Sequence, residues 1–246
     1  MKNQNLVLGC LHAPFHNKAM WNGVLQFIKD TDLQSINLIG DILDLNSLSF
    51  HERGKYPLNG LTIKKEYPMV KVFDELDEAI GRRRIKKRFL YGNHEHRYIR
   101  HQEIPDNDKI LCDAPEDYFR LRERGYDVKT DWRDDYFKLG DHLEIFHGTL
   151  LGVNPGKRQL DKLKKSCMFA HSHRAQVYFD GEMASYNIGC LLDVSAPVFK
   201  YAPRLIRRNW IMGFGLVTID DYGYYYAQLI TGYRDRFFYG GKKYGK

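Results

Sequence analysis

The chain has few cysteines and no long apolar run, and both shortages narrow the kind of protein it can be. Four cysteines stand far apart among 246 residues, with no Cys-x-x-Cys pair. That spacing argues against a disulfide-built fold and favours reduced thiols. No apolar run approaches the roughly 18 residues that cross a membrane, and the short apolar stretch near the first residue does not have the form of a signal peptide. We therefore expect a cytoplasmic protein without membrane association.

Low-complexity tracts, internal repeats and a surplus of acidic residues are also missing. The length suits one sizeable core, and we expect residues 1–246 to form a single domain. The formal net charge is +7 at pH 7. A basic chain favours an anionic partner, but composition does not distinguish nucleic acid from small phosphates.

Strand-like and helical segments alternate in the first half of the chain. Apolar runs of strand length lie at 6–10, 36–41 and 88–93. Between them, the segments 17–30 and 64–83 carry apolar residues at helical spacing. This alternation predicts parallel strands joined by crossover helices.

The second half is predicted to contain mostly short strands. A short helix is predicted over 113–124, and the Asp-Asp-Tyr-Gly sequence at 220–223 lies between two alternating runs, which predicts a hairpin. Residues 45–63 are rich in polar residues, glycine and proline and are predicted to form a mobile loop. We expect an α/β fold with two sheets packed face to face and helices outside.

Five strand-like runs end in residue types that bind metal ions. Because the carboxyl ends of parallel strands converge on one edge of a sheet, we expect these side chains to meet. Imidazole, carboxylate and amide oxygen together suit Zn, Mn or Fe. Any one of these motifs alone is usually a turn or a core histidine, but five in one chain predict a metal site. They are Cys10-Leu11-His12, Gly40-Asp41-Ile42-Leu43-Asp44, Gly92-Asn93-His94-Glu95, His147-Gly148 and Ala170-His171-Ser172-His173.

The order and content of these motifs resemble the calcineurin-like metallophosphoesterase superfamily. Its pattern runs Asp-x-His, Gly-Asp-x-x-Asp, Gly-Asn-His-Glu or -Asp, His, and Gly-His-x-His. The match extends from position 10 to 173, about two-thirds of the chain. The fold it implies is a four-layer α/β/β/α sandwich of two mixed sheets flanked by helices. The segments 187–190, 210–214 and 241–245 also resemble small phosphoesterases found in phage genomes.

The resemblance implies a site for two divalent metal ions, with Mn, Zn or Fe as the leading identities. Asp41 would bridge the two ions. Two ions about 3.5–4 Å apart can grip a phosphate ester and hold a bridging hydroxide as the nucleophile. The other implied ligands are Cys10, His12 and His173 for metal one, and Asn93, His147 and His171 for metal two.

The resemblance also implies catalytic roles beside the metals. His94 would lie over the phosphate and protonate the leaving oxygen or stabilise charge. Asp44 would orient His94, and Glu95 would be an anchor behind the ligands. Arg97 is a candidate to bind the substrate phosphate, although an ordinary solvated helix face explains this residue equally well.

Position 10 departs from the family pattern, because Cys10 stands where the family has aspartate. Three interpretations remain open. Cys10 is a thiolate ligand that shifts metal one towards Zn or Fe; it is no ligand and leaves metal one weakly held; or the chain has lost activity and keeps a binding role. The other ligands implied by the resemblance are intact, which argues against general decay. Ala170 in place of glycine is a mild departure, because alanine is also small.

The resemblance implies a metal-dependent phosphoesterase, a hydrolase, and the leading substrates are nucleic acid or nucleotide phosphate esters. Basic and aromatic residues are mixed at 201–210, which is typical of single-strand binding surfaces and also of ordinary loops. A basic run at 82–88 precedes the third strand, so we expect it at the sheet edge opposite the metals. The alternatives are a phosphomonoesterase acting on a phosphoprotein or small metabolite, and a catalytically weak relative that binds nucleic acid. No cap over the site is evident.

Overall fold

The structure is a computed structural model that describes residues 3–50, 60–103 and 112–246. Its strands and helices alternate most regularly before residue 130, as the sequence predicts. The strands are β1 (Gln4–Leu8), β2 (Leu33–Ile39), β3 (Lys86–Leu90), β4 (Tyr126–Lys129), β5 (Phe137–Leu139), β6 (Leu143–Ile145), β7 (Cys167–Phe169), β8 (Ala175–Asp180), β9 (Met183–Ile188), β10 (Gly213–Ile219), β11 (Tyr225–Thr231), β12 (Arg236–Tyr239) and β13 (Lys242–Gly245). The helices are α1 (Lys18–Asp30), α2 (Ile63–Glu66), α3 (Val72–Ile80), α4 (His96–Gln102), α5 (Pro115–Tyr118), α6 (Pro155–Leu163) and α7 (Arg204–Arg207).

Two mixed sheets carry the fold. The first has six strands in the order β11-β10-β1-β2-β3-β4, and the second has five in the order β5-β6-β7-β9-β8. Strands β1 to β4 are parallel, while β10 and β11 are an antiparallel hairpin around the predicted turn at 220–223. In the second sheet β6, β7 and β9 run parallel. The predicted pair of mixed sheets flanked by helices is confirmed.

Alternation along the central strands divides the apolar residues between two cores. On β1, Leu6 and Leu8 face the helices, whereas Val7 faces the second sheet. Because successive side chains of a strand point to opposite faces, one strand serves both cores. Phe27 of α1 packs against Phe237 of the carboxyl-terminal hairpin, with ring centroids 6.0 Å apart. Packing on both faces therefore holds the strand ends in fixed positions relative to one another.

The predicted helix over 17–30 is confirmed, but the one over 64–83 is divided. The Asn17 side chain accepts a hydrogen bond from the amide of Met20 and caps α1. Helix α2 ends at Glu66 and a 3₁₀ turn over Tyr67–Met69 precedes α3. Tyr67, the residue before Pro68, keeps helical backbone angles (φ −53°, ψ −49°), and the helical path ends at Val70, which is extended (φ −83°, ψ 119°). The short helix predicted over 113–124 is confined to α5 and is followed by turns.

The loop predicted over 45–63 is described only at its two ends. A 3₁₀ turn over Asn46–Leu48 follows β2, and residues 51–59 lie outside the described part of the chain. Among the described residues, no helix combines the length and the apolar character that crossing a lipid bilayer requires.

Candidate metal centre

Side chains from all five motifs meet where β1, β2, β3, β6 and β7 end. Two groups of possible metal ligands, each with its atoms within 4.8 Å of one another, share the carboxylate of Asp41. A third group of the same tightness places His94 beside them. The first group is Cys10, His12, Asp41 and His173; the second is Asp41, His147 and His171; the third is His12, Asp44 and His94.

The backbone at these residues is in an unusual conformation. Cys10, His12, Asp41, His171 and His173 all have φ between 49° and 62°. Positive φ is uncommon for residues with a side chain, and it concentrates at functional sites where surrounding contacts enforce it. Half of the ten such residues in the described chain belong to the two ligand groups. The chain therefore turns sharply at each strand end and directs these side chains towards one point.

Glu95 fixes the loops that carry Asp41. Its fully buried carboxylate accepts hydrogen bonds from the amides of Asp41 (2.9 Å), Leu43 (2.8 Å) and Gly92 (2.8 Å). Burial and the nearby Asp41 charge raise the pKa of Glu95 to about 6, although the amides oppose this shift. The carboxylate thus joins the ends of β2 and β3, and the anchor role expected of Glu95 agrees with this geometry.

Two glycines allow the same two loops to approach. A Cβ atom on Gly92 would overlap the amide nitrogen and the carboxylate of Asp41. A Cβ atom on Gly40 would lie 2.6 Å from Cα of Gly92 and 2.6 Å from Nδ1 of His147. A side chain at Gly92 would displace Asp41, and one at Gly40 would displace His147 or the backbone of Gly92.

Lone pairs converge in the group that contains His147. Its Nδ1 lies 3.0 Å from the carbonyl of Ile39, so the proton is assigned there and Nε2 is left as an acceptor. That Nε2 faces Oδ2 of Asp41 at 3.3 Å and Oδ1 of Asn93 at 3.0 Å. Nδ1 of His171 lies 2.9 Å from the same Asn93 oxygen. These close contacts need either a proton on a ring nitrogen, as the raised pKa of His147 indicates, or a cation between the acceptors.

The group that contains His12 has the same character. Nδ1 of His12 lies 2.8 Å from Oδ1 of Asp44, which assigns the proton to Nδ1 and leaves Nε2 unprotonated. That Nε2 faces Nε2 of His173 at 3.1 Å and Oδ2 of Asp41 at 3.8 Å. Burial lowers the pKa of both His12 and His173, so both rings are neutral at pH 7 and can offer lone pairs.

Charge in the centre is concentrated on Asp41. Burial alone would raise the pKa of this carboxyl, but His147, His94 and His12 outweigh burial and hold the pKa well below its usual range. The Asp41 carboxylate in turn outweighs burial at His147 and raises the pKa of that ring. An ionised carboxylate among imidazoles and an amide oxygen is a donor set that suits a divalent transition metal. The residues present therefore fit two ions that share Asp41.

Cys10 lies within the first ligand group. Its side chain is fully buried, and Sγ accepts a hydrogen bond from the amide of His171 at 3.2 Å. Burial and the charge of Asp41 raise the pKa of this thiol well above its usual value. The backbone at Gly9 packs closely against Ala170, because a Cβ atom on Gly9 would lie only 2.8 Å from Cβ of Ala170. The two sheets are therefore in close contact directly behind Cys10.

Asp44 contacts both a possible ligand and the expected acid. Besides Nδ1 of His12, its Oδ1 lies 3.3 Å from Nδ1 of His94, and its backbone carbonyl accepts from the same nitrogen at 2.6 Å. Burial would raise the pKa of Asp44, but the hydrogen bonds from the two histidines outweigh it and lower the pKa. Asp44 therefore contacts Nδ1 of both His12 and His94, and its role in orienting His94 stays a prediction.

Arg97 and Arg174 both line the cleft above the centre, but among the described residues only the Arg97 guanidinium has hydrogen-bond partners. The Arg97 guanidinium donates to the carbonyls of Asp44 (2.9 Å) and Leu45 (3.3 Å) and lies 3.1 Å from Nε2 of His94. The Arg174 guanidinium has no hydrogen-bond or ion-pair partner within the part of the chain that the structure describes. Sequence reasoning missed Arg174, although it directly follows the His-Ser-His motif.

Residues 190–212, between β9 and β10, lie over the first ligand group, and the sequence did not predict this cover. We call these residues the wall segment. Phe199 lies 5.5 Å from the ring of His12, and Trp210 lies 4.5 Å from the ring of His173. Together with the strand ends it encloses a cleft of about 640 Å³ that opens onto Asp41, His94 and His173.

Trp132 lies beside the second ligand group and was also missed. Its ring centroid is 6.1 Å from those of both His147 and His171. The basic run at 82–88, by contrast, is partly structural. Arg83 donates to four backbone carbonyls at the ends of α1 and α3, and Arg88 contacts Oδ1 of Asn37 at 3.2 Å.

Comparison of the sequence with family models and with curated proteins gives no match. Solved structures of similar shape do exist. Vacuolar Protein Sorting 29 from Cryptosporidium parvum is 11% identical, with 98% of this chain and 94% of that one covered and a TM-score of 0.47. An archaeal phosphodiesterase is 11% identical over 92% of this chain and 99% of that one, with a TM-score of 0.45. A phosphoesterase from E. coli is 15% identical over 92% and 98%, with a TM-score of 0.41.

The arrangement expected from the sequence motifs is present in the chain itself. Two mixed sheets present the five motifs at one edge, and the motif side chains meet in two groups around Asp41.

Proposed function

We propose that this protein is a metal-dependent phosphoric ester hydrolase, built as a single cytoplasmic domain. One observation carries the proposal: the acceptor atoms of two ligand groups converge on either side of the Asp41 carboxylate at the floor of an open cleft. Four free cysteines support a reducing compartment.

Two divalent ions would be held by these groups. When bound, they would act as Lewis acids on the phosphate and lower the pKa of a water molecule that they hold. Asp41 would serve both ions. Metal one would be held in addition by Cys10, His12 and His173, and metal two by Asn93, His147 and His171.

The other residues of the site position the substrate and move a proton. His94 is held at Nδ1 by Asp44 and lines the cleft. Its Nε2 accepts from Arg97 in the neutral ring, and once that nitrogen takes up a proton it can give the proton to the leaving oxygen. Arg174, which has no partner among the described residues, can bind a phosphate oxygen. Arg97 donates a hydrogen bond to His94 and adds positive charge beside it.

Of the three interpretations of position 10, we propose that Cys10 is a thiolate ligand. Sγ lies within 4.8 Å of the ligand atoms of His12, Asp41 and His173, which is the place of the carboxylate in the family pattern. A thiolate prefers Zn or Fe to Mg or Ca, so metal one would be softer than metal two.

The substrates we propose are phosphate esters of nucleotides or nucleic acid. The chain has a net charge of +7, and the cleft joins cationic side chains to aromatic ones. Such a surface binds phosphate and planar rings together.

Hydrolysis of model esters after loading with Zn, Mn or Fe tests the proposal. We expect release of p-nitrophenol from bis(p-nitrophenyl) phosphate or from p-nitrophenyl phosphate, abolished by a chelator. Faster cleavage of the diester supports a nucleic acid substrate, and activity confined to the monoester contradicts it. His147→Ala should lose both activity and one metal ion. His142→Ala, which changes an exposed histidine outside the ligand groups, is the control and should keep both. Absence of metal-dependent cleavage of either ester would overturn the hydrolase.

A further inference from the structure

The wall segment forms an apolar side of the cleft. Tyr201, Ile206 and Trp210 line the cleft opposite the polar floor of Asp41 and His94. Tyr201 is 55% exposed and Ile206 is 49% exposed, so apolar surface remains open to a ligand. The ring of Tyr201 has no stacking partner within the described residues.

The wall segment is fixed to the site. The amide of Leu191 donates to the carbonyl of Cys10 at 3.0 Å, and the amide of Ile211 donates to the carbonyl of His173 at 2.9 Å. Arg207 ties the middle of the segment together by donating to the carbonyls of Ala202 (3.1 Å) and Val194 (3.0 Å). The apolar surface thus stands at a set distance from the ligand groups.

The cleft therefore has two chemically different sides. The floor and Arg174 attract an anion, and the wall favours an apolar group bonded close to that anion. A cleft of about 640 Å³ has the size of sites for single small ligands. An aromatic wall favours planar rings, because ring pairs gain energy beyond the area that they bury.

We infer that the site selects phosphate esters that carry an aromatic ring within about one nucleotide's length of the phosphorus, with the ring against Tyr201 and Ile206. This inference rests on the proposed function and goes further by assigning selectivity to the wall segment. Nucleobases and aryl esters share this chemistry, whereas sugar phosphates and phosphoserine lack the ring.

Binding of non-hydrolysable phosphonates tests the inference without relying on turnover. Isothermal titration of the metal-loaded protein would compare phenylphosphonate, hexylphosphonate and methylphosphonate, with inorganic phosphate as the reference anion. We expect phenylphosphonate to bind at least about tenfold more tightly than methylphosphonate, and more tightly than hexylphosphonate. A phosphonate analogue of adenosine monophosphate should likewise bind more tightly than methylphosphonate, as expected if nucleobase and aryl ring use the same wall.

Variants of the wall segment assign the preference to named residues. Tyr201→Ala should reduce the preference for phenyl over methyl about threefold or more while leaving inorganic phosphate binding unchanged. Leu205→Ala is the matched control, because Leu205 is 72% exposed on the same short helix as Ile206 and does not line the cleft. Its preference should equal that of the unaltered protein.

Two negative outcomes are distinguishable. If inorganic phosphate and all phosphonates fail to bind the metal-loaded protein, the proposed function fails, and this inference fails with it. If phosphate binds but phenyl and methyl phosphonates bind equally, or hexyl binds best, or Tyr201→Ala has no effect, the ring selectivity alone is overturned. Circular dichroism of each variant would confirm that it has folded.

Discussion

The guanidinium of Arg97 lies 3.1 Å from Nε2 of His94 and faces it as a hydrogen-bond donor. Because Arg97 donates, Nε2 is the acceptor in this state, and the ring proton is assigned to Nδ1, beside the carbonyl of Asp44. Arg97 also donates to the carbonyls of Asp44 and Leu45, so it fixes the loop on which His94 rests. The residue was expected to bind substrate, and the geometry gives it a positioning role as well.

Replacing Arg97 by methionine should slow hydrolysis most for esters whose leaving oxygen must be protonated by His94. We expect kcat/KM to fall about tenfold for a phenyl ester, whose leaving oxygen requires protonation, and clearly less for the p-nitrophenyl ester. Measurement of both esters for Arg97→Met and His94→Ala would show the same direction of change with the larger effect in His94→Ala. Equal losses for the two esters would assign Arg97 to substrate binding instead.

Asp44→Asn should weaken metal binding although Asp44 is outside the proposed ligands. The carboxylate orients His12 through Nδ1 at 2.8 Å, and an amide in its place is neutral and a weaker acceptor. Loss of such an outer contact typically costs 10–100-fold in metal affinity. Competition with a chromophoric chelator would measure the change. Unaltered affinity would mean that packing alone orients His12.

Cys10→Asp should keep the fold and shift metal preference from Zn or Fe towards Mn or Mg. A carboxylate is a hard ligand where the thiolate is soft. Elemental analysis of protein purified in a defined metal mixture measures the preference. Cys190→Ala is the matched control, since Cys190 is equally buried, its thiol donates to the carbonyl of Ile211, and it belongs to none of the three groups of possible ligands. Identical metal content in Cys10→Asp and the unaltered protein would show that Cys10 is no ligand.

Gly92→Ala should separate the two loops that Glu95 joins. The added methyl group overlaps Asp41, and overpacking of this kind costs about 1–3 kcal/mol, a fall in Tm of about 5 °C for a chain of this size. Metal content should fall with it. Gly240→Ala is the control: its Cβ meets nothing within 4 Å, so only backbone strain is added and metal content should stay unchanged. Full metal content in Gly92→Ala would show that the loops can adjust.

Acid should destabilise the fold partly through His16, which lies outside the ligand groups. Burial, reinforced by Lys18, lowers the pKa of His16 to about 4, and its Nδ1 has no hydrogen-bond partner among the described atoms. The stabilisation is complete above the unfolded pKa of about 6.5 and is lost as pH falls towards 4, because the unfolded chain binds the proton first. We expect about 2 kcal/mol less stability at pH 5 than at pH 7.5 from this group.

Urea unfolding at the two pH values would measure this dependence. His16→Phe keeps a ring for its edge contact with Trp21 and cannot titrate, so the variant should lose about that share of the pH dependence. An unchanged dependence would show that His16 does not contribute. His142→Phe, at an exposed position, should behave like the unaltered chain.

The motif residues could be predicted to meet because their positions follow from strand ends. A parallel strand fixes where its last residue lies, so Cys10, Asp41 and Asn93 arrive at one edge whatever the intervening helices do. The division of the helix over 64–83 was not predictable in this way, because the break is at the extended Val70 and the apolar spacing on both sides of it favoured one continuous helix.

The wall segment and Arg174 could not be predicted in the same way. The path of residues 190–212 depends on hydrogen bonds from Leu191 and Ile211 to carbonyls of distant motif residues, and no local pattern encodes a long-range bond. The Arg97 guanidinium has hydrogen-bond partners, whereas the Arg174 guanidinium has none in the described ranges. This difference depends on side-chain geometry, which the residue type does not reveal. The roles of Glu95 and Gly92 lie between these cases, because their neighbours were known but not their contacts.

The left-handed backbone at five of the site residues also limits how such a centre can be moved to another protein. An engineer who copied only the side chains onto ordinary strands or helices would point them along the wrong directions. The transferable unit is a set of sharp turns with the glycines and the carboxylate that hold them. The recipient protein would first need sheets stable enough to hold these turns in place, because the centre does not stabilise them by itself.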